Sequence, residues 1–440
     1  MDYIIIFFLL SVYTWLYFFT RRSGLQKSGV ATRLPPGPYP LPIIGNILEL
    51  GDKPHHSLAA VSKTYGPLMS LKLRRITMIV VSSCEIAQEF FSKHDISFSS
   101  RSVPSAIRVI DSHNTSMVWL PVGDQWRRFR RICKEHLFSA RQLDASRFLR
   151  KQKVQELLDF VHGCRMSGKP INIGETVAIT TLNVLSNYIF STDLAQYDSP
   201  SSQEFKNMVW AVMEIAGAPN LADYFPVLRS LDPHGLLRRS KFYNKKLLAI
   251  FEHYINELLH DLFLAGTDTT SNTLEWAMAE LIHNPEKMLK ARAEIKKGIG
   301  NDERTFEESD ISRVPYLRAI IKETLRLHPL ITFLVPHKAI TDVEIKGYMV
   351  QTRRSCVTCG PWVKTQTFGR THKGSSQRGR RRCLGLPLAD ILLHLMLGTL
   401  IHKFDWKIKG GIRTKDMDMT DKFGFTLKKI LPLMAIPVKL

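Results

Sequence analysis

Gly379-Arg380-Arg381-Arg382-Cys383-Leu384-Gly385-Leu386-Pro387 is the stretch on which the reading of this chain turns. One cysteine stands among arginines, is followed by a glycine, and leads into an apolar run. Nearby positive charge favours the thiolate form of a cysteine, and a thiolate is a soft metal ligand. Taken alone the pattern stays open, because an arginine run more often marks a solvated face or a nucleic-acid patch than a metal pocket. What lies upstream decides between these readings.

The chain has 440 residues, enough to bury a deep core as one large domain or as two or three ordinary ones. An apolar fraction of 44% with 23% charged residues excludes wholesale disorder. The net charge of +21 calls for an anionic partner, whether nucleic acid, an acidic membrane face or an acidic protein. The six cysteines, Cys84, Cys133, Cys164, Cys356, Cys359 and Cys383, are too few and too scattered for a disulfide framework, which points to a reducing compartment. Cys356 and Cys359 form a CxxC without a second pair, and an incidental pair is the expectation.

Tyr3 to Thr20 holds no charged residue and is long enough to cross a bilayer, and Arg21 and Arg22 follow directly. A cleaved signal would carry its positive charge before the apolar run, so this one reads as an anchor with everything after Arg21 in the cytosol. Leu34 to Pro42 then holds five prolines, whose fixed φ angles predict a stiff extended spacer. Beyond it, Leu68–Leu73 and Thr77–Val81 read as strands and Cys84–Phe91 as a helix. Helical patterns follow from Trp126 to Leu143, from Ile173 to Phe190, from about Tyr254 to His283 and from Ile320 to His328. Trp126 and Arg130, one turn apart, face the same way.

Within the longest of these helices sits Ala265-Gly266-Thr267-Asp268-Thr269-Thr270. Glycine and threonine are poor residues for a helix interior, and the Thr269 hydroxyl can bond back to the carbonyl of Ala265. The expected result is a notch with an acid and an alcohol at its edge, suited to holding a small molecule and passing it protons. A kinked helix without chemistry is the competing reading. Glu323 and Arg326, at i and i+3, can pair on one helix face, which by itself is a weak signal.

Together, Trp126-x-x-x-Arg130, Ala265-Gly266-x-Asp268-Thr269, Glu323-x-x-Arg326 and Gly379-x-Arg381-x-Cys383-x-Gly385, in that order behind an anchor and a proline strut, resemble the cytochrome P450 family. The segments Ala222 to Leu228, Ala265 to Lys287 and Asp416 to Met419 look most like its plant microsomal, terpenoid-oxidising branch that includes geraniol hydroxylases. The resemblance implies a mainly α haem-thiolate fold with a small β region and an N-terminal transmembrane helix. It implies haem b with its iron ligated by Cys383, and electrons from NADPH through a separate NADPH-cytochrome reductase. Thiolate donation pushes electron density onto the iron and favours O–O cleavage. Trp126, Arg130, His337 and Arg381 match positions that hold the haem propionates, with His337 standing where arginine is more usual. Ala265 and Gly266 match the oxygen groove, Asp268 and Thr269 the proton-delivery pair, and Gly385 the glycine of the cysteine loop. Glu323 and Arg326 match a buried structural ion pair. Phe333 to Val335 and Phe423 to Leu427 match apolar substrate-facing loops, each of which ordinary packing explains equally well.

The expected organisation is an anchor over 1–20, a basic linker and proline-rich hinge over 21–49, and a monooxygenase domain over 50–440. The expected location is the endoplasmic reticulum membrane, single-pass, with the catalytic domain cytosolic. Partners would be the reductase, O2, the membrane and a small lipophilic substrate such as a monoterpenoid, with no nucleic acid. The family pattern fails between Gln351 and Gln377, where a shift of one base in the coding frame would account for the stretch from Cys359 to Gly374, and a second piece is missing near 257–261. Two alternatives therefore stand beside the enzyme: a haem-free or non-catalytic relic of the family, and more remotely a basic membrane-tethered binding protein.

Overall fold

A computed structural model describes residues 6–15, 33–251, 257–300, 304–352, 355–359 and 379–440. Its axis is the long helix Glu257–His283. Phe263, Leu264, Leu274, Ala277, Met278, Leu281 and Ile282 recur at helical spacing and are all buried. They pack on the helices Ile173–Phe190 and Leu386–Lys403, and with Arg147–Ser167 form one continuous core. Each fully buried leucine or isoleucine there contributes roughly 1.5–3 kcal/mol. The helix Ile173–Phe190 starts where Asn172 caps it, its side-chain oxygen accepting from Glu175 N at 3.2 Å.

The cysteine helix Leu386–Lys403 begins directly after Gly385 with a proline in its first turn, where a missing N–H costs nothing. It is long and apolar enough to cross a membrane, but two thirds of it is buried inside the protein, as befits a core helix. At the other end of the chain, Ile6–Trp15 forms a shorter apolar helix with exposed side chains. The rest of the sequence-predicted anchor, Arg21 and Arg22 included, lies outside the described residues.

The β structure is small, as predicted. Leu68–Leu73 pairs antiparallel with Ile76–Val81, which runs parallel to Ser355–Cys359. The sheet continues through His337–Lys338 to Ser100–Arg101, setting His337 opposite Arg101. Ile171–Asn172, Met434–Val438 and Asp405–Ile408 form a second sheet. Two short hairpins pair Val343–Ile345 with Tyr348–Val350 and Asp421–Lys422 with Lys428–Lys429.

Several expectations change. The proline segment lies against the body: Pro36 O accepts from Ser70 N at 2.8 Å and Pro35 O from Ser70 Oγ at 2.7 Å. A Cβ on Gly37 would sit 1.8 Å from Ser70 O, so only glycine permits this approach. The helix holding Trp126 spans Asp124–Ile132, loosens into a wider turn over Cys133–Leu137, and resumes as Ala140–Ala145. The helix with Glu323 starts earlier than predicted, at Pro315, and ends at Leu327.

Candidate haem-thiolate site

Cys383 sits three residues before Leu386, the first residue of the cysteine helix, where the nearby N–H groups of Gly385 and Leu386 favour its charged form. Cys383 is exposed, yet the protein atoms packed around its sulfur push the thiol upward, against the Gly385 and Leu386 N–H groups and the charges of Arg130 and Arg382. The arginines favour the thiolate, as expected, and a metal cation binding at the sulfur would displace its proton. The polar environment is the one a ligating thiolate needs, since every nearby group except burial favours its charge.

Around this sulfur the structure assembles two guanidiniums on one indole. Arg130 lies 5.0 Å and Arg381 5.1 Å from the Trp126 ring, each in cation–π range. Arg130 Nη2 donates to Arg382 O at 2.7 Å, fixing the cysteine loop to the arginine helix. Arg381 donates from Nε to Ser99 O at 2.6 Å, from Nη1 to Val118 O at 3.2 Å and from Nη2 to Leu120 O. Trp126 Nε1 donates to Met117 O at 3.2 Å, and Asp261 of the long helix accepts from Ser116 Oγ at 2.8 Å. The loop 116–120 is therefore the joint between the arginine helix, the long helix and the cysteine loop. It was not singled out from sequence, because it contributes mainly carbonyls, which leave no residue signature.

Burial lowers the proton affinity of Arg130, and burial followed by Arg130 itself brings Arg381 down to about 10. Two half-buried like charges this close favour an anion between them. His337 lies in the same cluster: its Nδ1 bonds Phe98 O, and its ring is 4.9 Å from Phe91. Burial, then Arg101, keep it well below the ordinary imidazole range, so it is neutral at physiological pH. A neutral imidazole already donating from Nδ1 cannot replace an arginine as a charge partner, which narrows the role expected for His337.

Over residues 262–279 of the long helix, Leu262, Ala265, Gly266 and Thr269 are the accessible positions among buried neighbours. Their spacing of three and four places them on one face, so a core helix keeps one open stripe. The Thr269 hydroxyl donates back to Ala265 O at 2.6 Å, as its position predicts. The helix nonetheless runs unbroken through the segment. A Cβ on Gly266 would meet Leu185 Cδ1 at 2.8 Å, so this glycine also serves the packing of the long helix on Ile173–Phe190. Asp268 turns elsewhere. It is buried, its Oδ2 accepts from Thr426 Oγ1 at 2.5 Å, and burial raises its carboxyl above the usual range. It lines a cavity of about 120 Å³ of mixed lining, shared with Lys206, Trp210, Glu275, Lys428 and Lys429. The acid and the alcohol thus lie on different faces of one helix.

Two further expectations are revised. Glu323 and Arg326 pair bidentately at 2.7 and 2.5 Å, but the Glu323 side chain is 52% exposed, so the pair is not buried. Phe423 stacks on His55 at 5.2 Å and meets Phe333 edge-on at 5.6 Å, which reads as packing between loops. Trp119 and Phe425, 6.1 Å apart, are the aromatic contact between the loop 116–120 and the C-terminal hairpin. Gly385 contributes its N–H, and a Cβ there would make only ordinary contact with Phe138. The stretch 360–378 lies outside the described residues, but from Gly379 onward the loop is tied down: Arg380 N and Nε bond Asp95 at 3.0 and 2.9 Å.

A haem presents a metal that takes a soft axial donor and carboxylates that take guanidinium partners. One exposed thiol at the start of the cysteine helix, flanked by Arg130 and Arg381 on Trp126, fits both requirements.

Comparison with known proteins agrees. A family profile described as Cytochrome P450 matches residues 35–258, 236–365 and 378–434. The chain is 45% identical to Cytochrome P450 76T24 of Catharanthus roseus, with 99% of each chain covered. It is 41% identical to the Geraniol 8-hydroxylase of the same plant, covering 99% of each, and 41% identical to that of Swertia mussotii, covering 98% of this chain and 97% of the relative. The first of these alignments runs over 499 positions, more than the 440 residues here, so the relative has residues without counterparts in this chain.

Proposed function

This chain belongs to the cytochrome P450 monooxygenase family, and from that membership we propose that it hydroxylates a small lipophilic terpenoid, a monoterpene alcohol in the first instance. The family membership implies a haem iron cofactor, and two relatives named Geraniol 8-hydroxylase support the substrate class. The single observation that carries the assignment of the site is the Cys383 sulfur, placed just before the cysteine helix and beside the Arg130 and Arg381 pair that shares the Trp126 ring.

Cys383 would ligate the iron and Arg130 and Arg381 would hold the propionates, with Trp126 keeping both guanidiniums in place. The haem, when bound, supplies insertion of one oxygen atom into a C–H bond while the other leaves as water. Ala265 and Gly266 leave the long helix's open face unobstructed, and the Thr269 hydroxyl, held on Ala265 O, is the proton-bearing group on that face. Asp268 would store a proton behind it, its raised carboxyl placed against the cavity that Lys206 and Lys428 also line. Electrons would arrive from NADPH through a reductase. Arg127, Arg128, Arg131, Lys134, Arg380 and Arg382 are exposed on the cysteine side and would steer an acidic partner. The anchor over 1–20, with Ile6–Trp15 in its middle, would hold this assembly at the endoplasmic reticulum membrane with the domain over 50–440 in the cytosol.

One observation favours a second reading, a member that no longer catalyses: the profile match leaves a break just before residue 378 and the aligned relative is longer than this chain. Co-expression with a plant NADPH-cytochrome reductase and incubation with geraniol distinguishes them. NADPH-dependent formation of a hydroxylated monoterpenol supports the enzyme, and its absence from a haem-loaded chain across a panel of terpenes supports the second reading.

A further inference from the structure

Lys53, His55 and His56 stand at the start of the helix Pro54–Tyr65, and Asp421 opens the hairpin strand Asp421–Lys422. The fold brings these two segments, 366 residues apart, into contact. His55 Nε2 lies 3.3 Å and His56 Nε2 3.4 Å from the same carboxylate oxygen, Asp421 Oδ2. The three atoms are all within 4.8 Å of one another. The first is a long hydrogen bond and the second a still longer contact, against about 2.7–3.2 Å for the usual N–H···O bond, so neither proton is tightly shared. Both separations also match the edge of a tetrahedron around an ion bonded at about 2.0–2.2 Å, which is about 3.3–3.6 Å.

The surroundings orient the donors. Lys53 Nζ holds Asp421 Oδ1 at 2.8 Å and Asp421 O at 3.0 Å, which leaves Oδ2 directed at the imidazoles. The His55 ring is buried, stacks on Phe423 at 5.2 Å, and has no hydrogen-bond partner at Nδ1 among the described residues, so its polar contact is the one at Nε2. His56 is 55% exposed and gives a route from solvent.

We propose that His55 Nε2, His56 Nε2 and Asp421 Oδ2 form a binding site for a divalent transition cation of the zinc type, with a water in the fourth position. Two imidazoles and one carboxylate suit Zn²⁺ better than the hard cations, which prefer all-oxygen shells. The Lys53 ammonium remains on Oδ1 as the partner that orients the ligating carboxylate. The ion would pin the helix after the proline segment to the hairpin whose Thr426 bonds Asp268, joining the two ends of the chain beneath the long helix.

The test uses the untagged full-length chain in detergent, with Zn²⁺ titrated against a chromophoric chelator and the zinc X-ray absorption edge recorded. One tightly held equivalent with a nitrogen and oxygen shell near about 2.0–2.1 Å is expected. His56→Ala and Asp421→Asn should each weaken it at least about tenfold, while the exposed His234→Ala should not. His56 is exposed, so its variant keeps the fold and reads the site alone. A wild-type chain that retains no equivalent, or ligand variants that bind as tightly as the wild type, overturns the proposal.

Discussion

Replacing Arg381 by methionine removes the clip between the cysteine loop and the rest of the site. The side chain donates to the carbonyls of Ser99, Val118 and Leu120 and lies over Trp126. Each charge-assisted bond contributes about 1.5–3 kcal/mol and the indole contact about 0.5–1 kcal/mol. Burying a guanidinium offsets much of that sum, as its depressed proton affinity shows. A net loss of about 3–5 kcal/mol is expected, typical for breaking one side of a partly buried charged network. Arg381→Lys keeps the charge but cannot span three carbonyls from one nitrogen, so about half of that loss should remain. Arg380→Met serves as the control, because its ion pair with Asp95 is partly exposed and contributes about 1 kcal/mol or less. Urea denaturation of the full chain in detergent measures all three through the midpoint at constant slope. A midpoint for Arg381→Met within 1 kcal/mol of wild type, or equal to that of Arg380→Met, would refute the joint described for the loop 116–120.

Other outcomes follow from single contacts. Gly379 has φ +98°, and a Cβ there would sit 2.7 Å from Asp95 Oδ1 and 3.0 Å from Phe91 O, so Gly379→Ala should cost about 1–3 kcal/mol by the same denaturation assay. Asp268→Asn keeps the Thr426 contact in shape but cannot hold a proton, so turnover by a reductase-supported enzyme should fall at least about tenfold at unchanged haem content. Burial, then Lys422 and Lys206, bring Lys428 down from 10.5 to about 8. Between these values the native state binds fewer protons than the unfolded one, so stability rises with pH across that window and its deficit is largest below about 8. Lys428→Met should raise the melting temperature at pH 7 and flatten its rise between pH 8 and 10.

The helices were legible because burial writes a period into the sequence. Ile173–Phe190 appears over the same residues in structure, and the long helix was readable from its apolar spacing although Gly266 and Thr269 are poor helix residues. Trp126 with Arg130, and Thr269 with Ala265, were legible because each pair lies within one turn. Contacts between distant segments were not. Arg381 meets carbonyls 261 to 282 residues away, and backbone oxygens carry no side-chain signature. The exposure of Glu323 and the separate facing of Asp268 depend on which segments pack beside those helices, which spacing alone does not encode.

The most direct test of Cys383 as the axial ligand is the carbon monoxide difference spectrum of the reduced full-length chain, read beside Cys383→Ala. A red-shifted, thiolate-type Soret band in the wild type that vanishes in the variant is the expected result. A chain that binds haem without that band, or a band that survives loss of the sulfur, would contradict it.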